Sequence, residues 1–108
     1  MSHLNLSLIL SPQAETDFTD ILQYTLETWG EPQVHVYSSL LDQALLMLQQ
    51  HPYIGQQLHD IGQQLHEFST VHRVYPVGKH VIIYRIVNHT VYVSRILHER
   101  MNIKRNLS

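Results

Sequence analysis

The groups in this chain best suited to act on a charged partner are its cations. All seven Lys and Arg residues, Arg73, Lys79, Arg85, Arg95, Arg100, Lys104 and Arg105, fall within residues 71–105. Guanidinium groups on one surface hold phosphate or carboxylate through paired, charge-assisted hydrogen bonds. Arg85, Arg95, His98 and Arg100 are expected to form such a surface, with the cations of the last third converging on it. Arg95 also has a structural reading. It stands among apolar neighbours, where an unpaired guanidinium is costly, so it either snorkels or pairs with a helix acid. Tyr84 and Tyr92 fit cross-strand packing better than base stacking.

Other chemistries find less support. Nine histidines invite a zinc site, and His59 and His66 stand seven apart, but no tight His pair brackets an acid and the chain has no cysteine. No metal and no cofactor are expected. Asp17 and Asp20 read as solvated charges on the outer face of a helix. Ser94 near His98 lacks an orienting acid and an elbow motif. The four glycines make no phosphate loop.

Eight of the nine acids lie in residues 1–70, which contain no Lys or Arg, and Glu99 alone falls later. Residues 1–70 therefore carry −8 and residues 71–108 carry +6, which gives the net −2. That asymmetry hints at an anionic partner or a complementary protein surface. Residues 1–108 suit one domain with a modest core, with a flexible basic tail from about position 99. No apolar run approaches the roughly 18 residues of a membrane span, and Met1 to Leu6 does not read as a signal peptide, so a cytoplasmic protein is expected.

The elements that must position these groups follow from periodicity. Leu4, Leu6, Leu8 and Leu10 alternate with polar residues and Ile9, as in a strand with one leucine face. Ser11-Pro12 caps and opens a helix with the stripe Ala14, Phe18, Ile21, Leu22, Thr25 and Trp29, closed by Gly30. Pro32 opens a second helix with the stripe Val34, Tyr37, Leu40, Leu41, Ala44, Leu45 and Leu48, stopped by His51-Pro52. So short a link forces an antiparallel hairpin, which must clamp onto a sheet. Residues 55–68 are a tandem heptad, Gly-Gln-Gln-Leu-His-Asp-Ile then Gly-Gln-Gln-Leu-His-Glu-Phe, read as a duplicated connector. A three-stranded meander starts at Phe68, turns at Val77-Gly78-Lys79, runs through His80–Val87 and returns by a two-residue loop at Asn88-His89. Regular pairing then places Ile86 opposite Val91, Tyr84 opposite Val93, Ile82 opposite Arg95 and His80 opposite Leu97, with Ile96 on the other face.

Several blocks carry a family signature: Leu10-Ser11-Pro12 with Ala14, Glu15, Asp17-Phe18, Ile21 and Tyr24; His51-Pro52-Tyr53-Ile54-Gly55; His80-Val81-Ile82-Ile83-Tyr84-Arg85; and Arg95-Ile96-Leu97-His98-Glu99-Arg100-Met101. With the element order they resemble the RelE/ParE superfamily of bacterial type II toxins, in its ParE-like branch. The resemblance implies an α+β fold in which an N-terminal strand, an antiparallel helical hairpin and a three-stranded meander form one sheet packed on the helices. It also implies a toxin neutralised by a cognate antitoxin whose acidic, apolar tail orders over the hairpin and sheet, at Phe18, Tyr24, Tyr37, Tyr84 and Tyr92. Homodimers are compatible with the class. For the ParE-like branch the implied target is DNA gyrase, touched by Arg73, Arg85, Arg95, His98 and Arg100, and the protein is then no enzyme. The RelE-like alternative cuts messenger RNA on the ribosome, with His80, His98 and Arg100 in the active set. That branch places an arginine where this chain has Val81, and lysines without a match around His72 and Val74. A third reading is a non-toxic remnant that binds antitoxin.

Overall fold

A computed structural model describes residues 5–58 and 71–99. Strand β1 (Ser7–Leu10) leads into helix α1 (Pro12–Trp29), helix α2 (Glu31–Gln50) and the short strand β2 (Gln56–Gln57). Strands β3 (Arg73–Val77), β4 (His80–Val87) and β5 (Thr90–His98) follow. All five strands form one sheet in the order β1-β5-β4-β3-β2, with β1 parallel to β5 and the remaining pairs antiparallel. The α+β architecture is the expected one. Among the described residues, no helix is long and apolar enough to cross a membrane.

Ser11 caps α1 by accepting the Ala14 N–H at 2.9 Å, and Pro12 occupies the first turn. Gly30, at φ 92°, ends α1 in a conformation that side chains resist and hands the chain to α2. The hairpin buries Ala14, Ile21, Leu41, Ala44, Leu45 and Leu48 against Ile82, Tyr84, Val91, Val93 and Ile96 of the sheet. Leu6, Leu8 and Leu10 pack on the same core, as their alternation requires. Trp29 departs from its expected stripe. It sits in the last turn at the hairpin tip, past the sheet, and is 70% exposed. On the outer face of the sheet a second cluster joins Leu58, Val74, Val81, Ile83 and Leu97.

The β4–β5 loop has two residues, with Asn88 and His89 at φ 50° and 64°, the doubly left-handed turn that matches strand twist. Pairing near the loop is as expected: Ile86 faces Val91 and Tyr84 faces Val93. Beyond it the expected register fails. Ile83 faces Arg95, Ile82 faces Ile96 and His80 faces His98, because a bulge leaves Ser94 without an opposite residue. The cause lies in α1. The Ser11 hydroxyl donates to the Ser94 carbonyl at 2.8 Å, and the Asp17 carboxylate accepts the Ile96 N–H at 2.9 Å. One extra residue then turns Ile96 toward the helices and Leu97 outward. Strand β2 was not expected either, since two glutamines carry no apolar alternation. The end of the first heptad copy with His59, the whole second copy with His66, and the tail beyond Glu99 lie outside the described residues.

Candidate functional site

The arginines expected to converge lie apart, which corrects the single-surface expectation among the described residues. Arg95 is clamped by Asp17: its Nε lies 2.8 Å and its Nη2 3.0 Å from the carboxylate oxygens. The Asp17 side chain is 13% exposed, so it is an interior partner and not the solvated surface charge expected of it. Of the two readings open for Arg95, pairing with a helix acid is the one observed. Arg73 works elsewhere, donating to the carbonyls of Gly55 at 2.6 Å and Tyr53 at 3.2 Å while its guanidinium lies 5.0 Å from the Tyr53 ring. Arg85 is on the outer face of the sheet, 5.2 Å above the ring of its cross-strand neighbour Tyr92. Tyr92 in turn neighbours Ile9 of β1, which is 43% exposed. Arg100 lies outside the described residues.

His80 and His98 do meet. They are cross-strand neighbours with ring centroids 5.1 Å apart, edge to face. Tyr37 of α2 joins them: its hydroxyl is 2.6 Å from His80 Nδ1, accepts the Lys79 N–H at 3.0 Å and lies 3.4 Å from the Val77 carbonyl. Burial, and then the neighbouring His98, push the His80 pKa down to about 4, against the opposing pull of Glu99 and Asp17. Burial raises the Tyr37 pKa above its ordinary value. An imidazole neutral to about pH 4, with one nitrogen held by a phenol, is poorly matched to proton transfer near pH 7, where general bases work best with pKa values close to the working pH. Among the described residues, no three His, Asp or Glu side chains gather to hold a metal ion.

The aromatic residues expected at an antitoxin surface divide in the same way. Tyr84 is fully buried. Its hydroxyl donates to the Pro52 carbonyl at 2.7 Å and accepts the Gly55 N–H at 2.9 Å, so it staples the loop after α2 and has no free face for a partner. Gly55 is required there, since a Cβ would stand 2.5 Å from the Tyr84 oxygen. Tyr37 is half-buried in the cluster just described, and Tyr92 lies under Arg85. Tyr24 is 64% exposed on α1. Phe18 lines a groove of about 370 Å³ between the outer faces of the two helices, with Leu22, Leu26, Val34 and His35. Leu26 was missed from the sequence because it lies off the buried stripe. A second, shallower hollow of about 620 Å³ lies at the end of α2, against Met47, Pro52, Tyr53 and Ile54.

Comparison with known proteins decides the family. The model of the ParE toxin of type II toxin–antitoxin systems, parDE, matches residues 8–103. This chain belongs to the ParE toxin family. Among ParE relatives, Toxin ParE1 of Mycobacterium tuberculosis is 31% identical over 100 residues, covering 92% of this chain and 95% of that protein. Toxin ParE1 of Caulobacter vibrioides is 32% identical over 98 residues, covering 91% and 94%. Solved structures share the fold. The chromosomal ParDE system of P. aeruginosa superposes with a TM-score of 0.69 at 15% identity, over 86% of this chain and 95% of that one. The RelBE2 toxin–antitoxin complex of Mycobacterium tuberculosis gives 0.60 at 16% identity, over 88% and 99%.

Proposed function

We propose that this ParE-family toxin acts in the cytoplasm by contact, inhibiting DNA gyrase without chemistry of its own, and is silenced when a cognate antitoxin covers its helical hairpin. The observation that carries the contact reading is how its chemistry-bearing groups are employed. Arg95 is committed to Asp17 and Arg73 to loop carbonyls, while His80 is buried against Tyr37. Cleavage of a phosphodiester needs a proton acceptor together with groups that offset developing charge, and these side chains are occupied in holding the fold. The outer sheet face, with Arg85 over Tyr92 beside Ile9, offers a cationic and aromatic patch suited to a protein partner.

The test is gyrase-dependent supercoiling with the purified chain. Supercoiling should fall as the chain is added and recover when the antitoxin encoded beside it is supplied. Messenger RNA cut within codons during induction would instead assign the ribosome-dependent nuclease. Normal growth on induction, with a tight antitoxin complex retained, would identify a non-toxic remnant.

A further inference from the structure

Helix α2 leaves a second apolar row in the open. Val36, Leu40, Gln43, Met47 and Gln50 follow one another at intervals of four, three, four and three residues. That is the spacing of a coiled-coil seam, which sets all five along one stripe of the helix. The stripe is not the one that meets the sheet, where Leu41, Ala44, Leu45 and Leu48 are buried. Leu40, expected on that buried side, is instead 39% exposed, and Val36 is more exposed still. The row runs into the shallow hollow at the end of α2, which Met47 and Gln50 line together with Pro52, Tyr53 and Ile54. Leu46, Tyr53 and Ile54 widen it with further exposed apolar surface.

We propose that two copies of the chain meet through this face of α2, helix against helix, antiparallel about a two-fold axis. An isologous contact needs a surface that complements itself. Turned end for end about Gln43, the row sets Leu40 against Met47 of the second copy and brings Val36 beside Gln50, at the hollow. Gln43 then falls next to its own counterpart, where two primary amides donate and accept reciprocally. One polar pair in an apolar seam fixes its register. Charge favours a second copy over a different partner. The described helices carry six acids and no Lys or Arg, so two copies repel wherever those acids face each other. This face is free of them, since Glu31 and Asp42 stand roughly 120° or more round the helix from the centre of the row. With the exposed residues beside it, the row offers on the order of 700 Å² per copy, close to what each partner gives to a stable interface.

Sedimentation equilibrium of the full chain over a concentration series should show a reversible rise from the 12.7 kDa of one chain to twice that mass. Val36→Glu and Leu40→Glu, both at exposed positions, should each weaken dimerisation about tenfold or more while circular dichroism stays unchanged. Tyr24→Glu, at an exposed site on α1, should leave the dimer intact. The chain has no cysteine, so Gln43→Cys adds a single thiol at the axis. Under mild oxidation this variant should form a disulfide-linked dimer with native circular dichroism, its two Cα atoms lying within the ~7 Å that a disulfide bridges. Tyr24→Cys should not. A chain that stays monomeric at its highest soluble concentration overturns the proposal. So does a dimer that withstands both glutamate variants, or one in which Gln43→Cys cross-links no better than Tyr24→Cys. A dimer that Tyr24→Glu dissociates also overturns it, since the contact would then belong to α1. Neither gyrase nor antitoxin enters these measurements, so their failure leaves the function proposed above standing, and the reverse holds equally.

Discussion

Asp17 holds three donors at once: the Nε and Nη2 of Arg95 and the Ile96 N–H. Removing one partner of a part-buried pair costs more than the pair contributes net, because the other is left desolvated and unanswered. Asp17→Ala should therefore lower stability by roughly 2–3 kcal/mol, and Arg95→Ala by less, since Ile96 keeps its acceptor. The double variant should be less destabilised than the sum of the two, which urea denaturation of the four proteins would show. Any fall in toxicity of Arg95→Ala should track that loss of stability. His80 supplies a second expectation. Its folded pKa, near 4, lies below the ordinary 6.5, so between those values the unfolded chain binds the extra proton. Stability should fall as pH drops from about 6.5 toward 4, and denaturation of His80→Gln should show a flatter limb over that window. In the sequence, Arg95 was visible as a cation among apolar neighbours. Its partner was not, because periodicity places Asp17 on a helix but does not say which strand passes beneath it.

At the scale of elements, the two helices, the first strand and the two-residue loop were legible because each rests on local pattern: stripes, proline and glycine punctuation, and an Asn that tolerates positive φ. The bulge at Ser94 was not. It exists because α1 supplies Ser11 to its carbonyl and Asp17 to the N–H two residues on, and those contacts span most of the chain. Strand β2 was missed for a related reason, since only pairing with β3 makes Gln56-Gln57 extended. Ser11 thus has two tasks, capping α1 and holding the bulge, and Ser11→Ala should cost about 1–2 kcal/mol, at the upper end for a lost cap. At the loop, His89 is held at φ 64°, where a side chain is strained. His89→Gly should raise stability by about 0.5–1 kcal/mol, measurable as a higher thermal midpoint.

Across the whole molecule, the charge division seen in the sequence becomes a division between layers. The described helices carry Glu15, Asp17, Asp20, Glu27, Glu31 and Asp42, and the described strands and turns carry Arg73, Lys79, Arg85 and Arg95. The count was legible in advance. The geometry was not, because strand alternation sends Arg85 outward while Arg73 is drawn to the loop after α2 and Arg95 to α1. Arg85 should therefore be the described arginine whose loss separates activity from stability. On the proposed gyrase reading, Arg85→Ala should weaken inhibition of supercoiling about tenfold while the thermal midpoint moves little, as for a surface substitution. The parallel pairing of Ser7–Leu10 with Thr90–Val93 has a temporal consequence. Strand β1 cannot find its mate until the whole segment between Leu10 and Thr90 has been made, and closing so long a loop is slow. Until that pairing forms, the sheet is incomplete and one edge of β5 stands bare.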